Sequence, residues 1–400
     1  MKKRSLFAGL VVLLLVLTVT AAAYGTTKRV TTKASAPILI GFSNSLTGFS
    51  AAPGASMSKG VQLQIKYFNS KGGVFGKKLK LIQYDDRSDV PTAIANIRKL
   101  IQQDKVFATV GPFAQFMQEP ARQIAEQMKV PMVGDGPATL QQLAGKQYQW
   151  SVMTAAAATT QAKAVAQVVK AAHWKNVLGL ADVLTIDQET LTQLDKIASG
   201  FQFTKMSDSF DLATTDFQPI INKIAQQVSS QKPDAIILYV NPIAFPSLYK
   251  GLRGLNINVP ILGGTACAHP AIFAQGPQAV EGALVMDSGG NVNPAGLPAN
   301  WPIKKIQLDF QKRYQAAYKA APDFFAADGA DMVTTLVAAM KNAGSLDKAK
   351  VAKALVRINK LPTLEGIMTF TPKSTSQGIH GYMVCWKVHN AQFKLVKAIP

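Results

Sequence analysis

The sequence predicts an α/β protein built as two doubly wound lobes, and three observations carry that prediction. Short apolar runs alternate with segments of helical periodicity along most of the chain. The alternation comes in two successive series with no long linker between them, one lobe for each. With 400 residues, 48% of them hydrophobic and 16% charged, the chain is globular and long enough to bury two substantial cores.

The first residues are an export signal rather than fold. Lys2, Lys3 and Arg4 form a basic start, residues 6–19 an apolar stretch, and Ala21, Ala22 and Ala23 a small-residue cleavage site before Tyr24. The expectation is a signal peptide at 1–23, a loose polar leader at 24–36, and a soluble mature chain. Residues 37–43 read as the first buried strand, and Leu46, Thr47, Gly48 and Phe49 turn the chain. Met57, Val61, Ile65 and Phe68 then recur as the core stripe of a helix that the glycines of 69–76 stop. Residues 79–84 form a strand ending at Asp85 and Asp86, after which Ser88 or Asp89 caps a helix beginning at Pro91.

Residues 106–110 are the next strand, ended by Gly111 and Pro112. A helix follows with Pro120 in its first turn, where a missing N–H costs nothing, and with Met117, Ala121, Ile124 and Met128 on one face. Residues 130–133 run into the loop 134–139. In a parallel sheet the loops 111–115 and 134–139 fall at carboxyl ends of strands, where ligands bind. Each precedes a helix and exposes N–H groups, which suits an anion such as a carboxylate. Further on, strands at 149–154, 176–181, 201–206, 233–240, 259–262 and 281–286 alternate with helices at 160–172, 188–199, 217–229 and 246–254. A Pro/Gly/Asn-rich connection at 291–302 leads to helices near 303–320, 327–343 and 346–358, and strands near 367–370, 382–388 and 393–396 finish the chain.

Several pairings of reactive residues carry little chemistry. Ser56 and Lys59 fit an S-x-x-K pattern, but the companion S-D-N and K-T-G segments of that serine chemistry are missing. Gly134 and Gly136 begin a dinucleotide fingerprint whose third glycine is replaced by Thr139. Asp85 and Asp86 are adjacent on a strand and so point to opposite faces, which favours bonds within the loop over acid/base work. Of the four histidines only His269 stands in a loop after a strand, where it could meet a ligand. No nucleophile–base pair, metal set or cofactor motif follows from these spacings. Cys267 and Cys385 could pair in an exported protein or stay as buried thiols, and the spacing does not choose.

The formal charge is +20, and +17 without residues 1–23, which carry three cations and no acid. The lysines are dispersed and not interleaved with aromatics, so a solvated basic surface is the reading and nucleic acid is not an expected partner.

Four segments in order resemble the leucine/isoleucine/valine-binding group of extracytoplasmic solute-binding proteins: PILIGFSNSLTG, NSKGGVFGKKLKLIQYDD, VGPFAQ and DFQPIINKIAQQVSSQKPDAIILYV. The likeness covers about residues 37–396. It implies the type I periplasmic fold: two lobes joined by three crossovers that close on a ligand like a hinged trap, serving an ABC transporter permease. The lobes would be 37–152 with 288–378, and 153–287 with 379–400. It implies a monomer without cofactor, periplasmic, touching the membrane only through the permease; no cysteine follows the signal to carry a lipid.

In relatives of this group that bind amino acids, the loops aligned with Phe113, Ala114 and Gln115 and with Gly136, Pro137 and Ala138 hold the ligand carboxylate through N–H groups and a hydroxyl. Gln115 and Ala138 depart from the usual hydroxyl residues, and Thr139 is the nearest hydroxyl. The aromatic and the acid contributed by the second lobe fall at Asn241 and Thr265, so the acid that neutralises an ammonium is missing there unless Asp135, Asp182 or Asp187 replaces it. Phe49, Pro53, Phe113, Phe116 and Ile186 map around the cleft and make it apolar. The ligand expected is a small carboxylate, either branched-chain amino-acid-like or, given Thr265, an apolar or aromatic acid. Alternatives are a ligand-sensing receptor module of the same fold and a secreted hydrolase using Ser56 and Lys59.

Overall fold

Strands that must be covered on both faces need apolar residues pointing both ways, and the two sheets of this protein are filled in that manner. The structure is a computed structural model that describes residues 36–113, 115–136, 148–375 and 379–399, with the backbone alone for Gln115 and residues 379–381. The expected signal peptide and nearly all of the expected leader lie outside these residues. The first sheet holds β1 (Ile38–Asn44), β2 (Leu79–Asp85), β3 (Ala108–Val110), β4 (Met132–Gly134) and β5 (Ser151–Met153), in the order β2-β1-β3-β4-β5. All its pairings are parallel.

The second sheet holds β6 (Asn176–Ala181), β7 (Gln202–Lys205), β8 (Ala235–Tyr239), β9 (Ile261–Gly263) and β10 (Leu284–Ser288), all parallel. Beyond β10 it is extended by antiparallel strands from the end of the chain. A short sheet of β11 (Leu361–Pro362), β12 (Gly366–Met368) and β13 (Ile379–Gly381) lies between, and β14 (Met383–His389) and β15 (Gln392–Ile399) complete the second sheet. The order of each sheet reverses between β1 and β3 and between β6 and β8. These are the switch points at which open α/β sheets bind ligands.

Along β8, Ile236 and Leu238 join one core cluster and Ile237 and Tyr239 another, so successive residues fill opposite sides. In the first sheet Val133 and Val152 face one cluster and Met132 and Met153 the other. The helices that cover the sheets are α1 (Ala51–Ser70), α2 (Val90–Gln102), α3 (Gln115–Met128), α4 (Ala158–Ala171), α5 (Thr185–Ile197), α6 (Gln218–Gln231), α7 (Ala244–Gly254), α8 (Lys304–Tyr318), α9 (Phe324–Ala343) and α10 (Lys348–Leu355). Far along the chain, α9 returns to the first sheet: Met332, Val333, Leu336 and Val337 pack with Met57 and Val61 of α1 and with Ile40 and Phe42 of β1. Glycines permit that approach. A Cβ on Gly60 would lie 2.0 Å from the Ala326 carbonyl oxygen, and one on Gly329 2.3 Å from that of Met57.

One open choice is settled and another expectation shifts. The cap of α2 is Asp89, whose carboxylate accepts the Thr92 N–H at 2.9 Å. The third helix starts a turn early, at Gln115, so Pro120 sits inside it and the carbonyl of residue 116 loses its usual donor. The chain passes between the sheets after Met153 and after Ser288. Near the expected third passage, β13 pairs with β12 and the second sheet resumes at Met383. Neither short strand β11 nor β13 was legible, since each spans only two or three residues.

Candidate ligand-binding site

Every loop that follows a strand near the switch points contributes to one cavity of about 170 Å³. At about 10–15 Å³ per water by this measure, it has room for on the order of ten water-sized groups, a small organic molecule. From the first sheet come Phe49, Ser50 and Pro53 after β1, Phe113 and Phe116 after β3, and Asp135 and Gly136 after β4. From the second come Leu184, Ile186 and Asp187 after β6, Asn241, Pro242 and Ile243 after β8, and Thr265 and Ala266 after β9. The start of α9 closes the space with Phe324, Phe325 and Asp328.

Phenylalanines of the wall pair with one another. Phe49 stacks on Phe116 with ring centroids 6.1 Å apart, and Phe113 meets Phe325 edge to face at 5.5 Å. Such pairs fix ring positions before any ligand arrives. The polar groups include the carboxyls of Asp135, Asp187 and Asp328, and the described lining includes no Lys, Arg or His. Asp135 accepts Gln118 Nε2 at 2.5 Å, and burial pushes its carboxyl up to about 7 despite hydrogen bonds from main-chain N–H groups including that of Gly136. Burial also raises Asp187 well above the carboxylate range, and the neighbouring Asp182 carboxylate adds to the effect. Burial raises Asp182 as well, against the N–H groups of Leu184 at 3.0 Å and Asn241 at 2.9 Å that its carboxyl accepts. Asp328 is likewise raised well above the usual range by burial and then by the adjacent Glu365.

Of the residues expected in the site, Phe49, Pro53, Phe113, Gly136, Ile186, Asn241 and Thr265 are brought together around this cavity. Ala114, Pro137, Ala138 and Thr139 lie outside the described residues, and Gln115 is described by its backbone alone. His269 stands behind the wall. Its Nδ1 accepts the Ala271 N–H at 2.9 Å, its Nε2 lies 3.2 Å from Asp323, and its ring packs edge-on against Phe325. Of the amides expected to cradle an anion, Gly111 N–H donates to the Val133 carbonyl at 2.9 Å and Gly136 N–H to the Asp135 carboxylate. Thr265 donates its hydroxyl to Gln161 at 3.2 Å.

Sequence reasoning missed Phe324, Phe325 and Asp328, which reach the cavity only because α9 returns to α1. One signal was present: Asp328 and Asp331 interrupt an apolar helix, and acids are rarely fully buried without cause.

The other candidate chemistries resolve into structure. Ser56 donates to Asp323 at 2.6 Å, while Lys59 is exposed with its Nζ 5.8 Å from the Tyr318 ring centroid. Asp323 therefore sits between Ser56 and His269, and both nitrogens of that histidine are occupied. Asp85 accepts the N–H groups of Leu46 and Arg87, and Asp86 the hydroxyls of Ser43 and Ser45, so both acids tie loops. Cys267 and Cys385 are free and buried, and burial pushes the Cys385 thiol up to about 12.

The family described as periplasmic binding protein matches residues 37–386, nearly all of the chain described above. The chain belongs to that family. It is 26% identical over 343 residues to an amino acid binding protein of Pseudomonas aeruginosa, covering 81% of this chain and 83% of that protein. With the Leu/Ile/Val-binding protein BraC3 of Rhizobium johnstonii it shares 25% over 368 residues, 87% of this chain and 92% of the relative. The crystal structure of LivJ, a branched-chain amino acid substrate-binding protein of Streptococcus pneumoniae in complex with isoleucine, superposes with a TM-score of 0.78 at 21% identity, covering 91% and 99% of the two chains. The two-lobed type I fold is thus that of periplasmic binding proteins.

Proposed function

We propose that this protein captures a small solute with an apolar body between its two lobes outside the cytoplasm and hands it unaltered to the permease of an ABC importer. One observation carries the reading: loops from the carboxyl ends of both sheets converge on a single phenylalanine-walled cavity with a few buried polar groups. The Leu/Ile/Val- and amino-acid-binding relatives support a hydrophobic amino acid or a compound of similar shape. Closing the lobes removes water from the Phe49 and Phe325 surfaces, and the few polar contacts strengthen in the dry site.

The missing acid at Thr265 no longer argues against an amino acid, because Asp135, Asp187 and Asp328 line the same space. An aromatic carboxylate keeps the support of the phenylalanine wall but meets no basic side chain in the described lining. A thermal-shift screen of the purified protein against hydrophobic amino acids, keto acids and aromatic acids tests the reading, since a ligand that binds the native state raises the melting temperature by mass action. The expected result is a rise of several degrees with at least one such compound at millimolar concentration. Silence across the whole set sinks it.

A further inference from the structure

Between Ala51 and Tyr84 the chain carries six lysines and no Asp or Glu. Folding brings several of them, with cations from two other helices, together around the end of α1. Lys59 and Lys66 lie seven residues apart on that helix and so share a face, and both are exposed. Lys71 Nζ is 5.8 Å from the Tyr67 ring centroid, and Cζ of Arg313 on α8 is 4.3 Å from the same centroid. Arg313 shares its charge with Asp309 at 2.8 Å. Lys341, at the end of α9, stands 5.6 Å from the Phe68 ring.

The hairpin that follows α1 adds an apolar tip to this face. Val74 and Lys77 exchange both N–H bonds, at 2.9 and 3.0 Å, which leaves Phe75 and Gly76 as the two tip residues. Both have positive φ, 50° and 76°, the pattern of a type I′ turn in which Asn-Gly is the favoured pair. A phenylalanine there is costly, because the left-handed backbone crowds its Cβ against the following carbonyl. Even so it stands 53% exposed, with Lys71 and Lys78 exposed before and after it in the chain. Lys78 reaches back to donate to the Asn69 carbonyl, which keeps its charge beside the end of α1.

We propose that this face docks on a bilayer surface bearing anionic lipid, with the lysines against the headgroups and the Phe75 ring at the acyl boundary. Each lysine held near such a surface strengthens binding about fivefold, and an aromatic ring rests well at headgroup level. The lysine stems lie along apolar surface while their ammonium groups reach the phosphates. A soluble polyanion would satisfy the lysines alone; the phenylalanine in a strained tip position is what favours the bilayer. The contact adds to the one expected through the permease and does not depend on which solute the cavity takes.

The test is flotation with vesicles of phosphatidylcholine, alone or with one-third phosphatidylglycerol, at low and high salt. The chain is used from Tyr24, the form expected after export, which keeps every described residue and leaves out the apolar stretch at 6–19. Binding is expected to the anionic vesicles only and should fall as salt rises. Lys59→Gln, Lys66→Gln and Lys71→Gln together should weaken it about tenfold or more. Lys163→Gln, Lys196→Gln and Lys250→Gln together remove the same charge from exposed sites on α4, α5 and α7, and should change it by less than about twofold. Phe75→Asn restores the favoured turn pair, so its melting temperature should match or exceed the parent's while its vesicle affinity drops about threefold or more. No binding to anionic vesicles, equal binding to neutral ones, or equal losses from the two lysine triples overturns the proposal. So does vesicle binding that Phe75→Asn leaves unchanged, which would make the face a site for soluble polyanions instead. None of these outcomes touches solute capture, which the thermal-shift screen tests separately.

Discussion

Asp323 shows how one side chain can hold two parts of a fold. It caps α9 by accepting the Ala326 N–H at 2.9 Å, receives the Ser56 hydroxyl at 2.6 Å, and meets His269 on the loop after β9. Burial works against its charge, but the bonds from His269, Ser56 and Ala326 win and leave its carboxyl below the usual range. Replacing it by alanine removes a cap and strands two buried donors, so Asp323→Ala should cost about 3 kcal/mol or more by urea unfolding. Asp323→Asn keeps an acceptor for the cap and should lose less. A loss under about 1 kcal/mol for the alanine variant would show the bridge to be idle. From the sequence alone His269 could be placed in a loop after a strand, but its partner lies far along the chain and could not be named.

Elements were the most legible scale, because a strand covered on both faces and a helix with one apolar stripe leave periodic marks. Strand β6 falls where the apolar run 176–181 put it. The return of α9 onto α1 left no such mark. Its requirement is written in Gly60 and Gly329, whose meaning depends on the opposing backbone. Gly329→Ala should therefore destabilise by about 1–3 kcal/mol even though alanine is the better helix former. Chemical denaturation measures this, and an unchanged or raised midpoint would show that the two helices can separate without cost.

For the whole molecule, buried acids set the response to pH. Burial pushes Asp135, Asp287 and Asp331 up to about 7 and Glu365 up to about 8. Between about pH 4 and 8 the folded chain binds more protons than the unfolded one, so stability is present at the acidic end and is lost as pH rises through the folded values. The carboxyls held low, among them Asp85, Asp234 and Asp323, act below that window. Calorimetric melting of the ligand-free protein should give a higher temperature at pH 5.5 than at pH 8.5, and the reverse order contradicts the placement of these acids.

By itself the sequence determined the alternation of strands and helices, the loops at the strand ends, and the aromatic residues they carry, because periodicity and turn chemistry are local and each is written within about ten residues. Only the tertiary structure decided which acids meet the cavity, that both cysteines stay as thiols, and that α9 completes the wall. Those outcomes depend on distances between residues remote in the chain, where burial, charge and close packing act and no spacing records them.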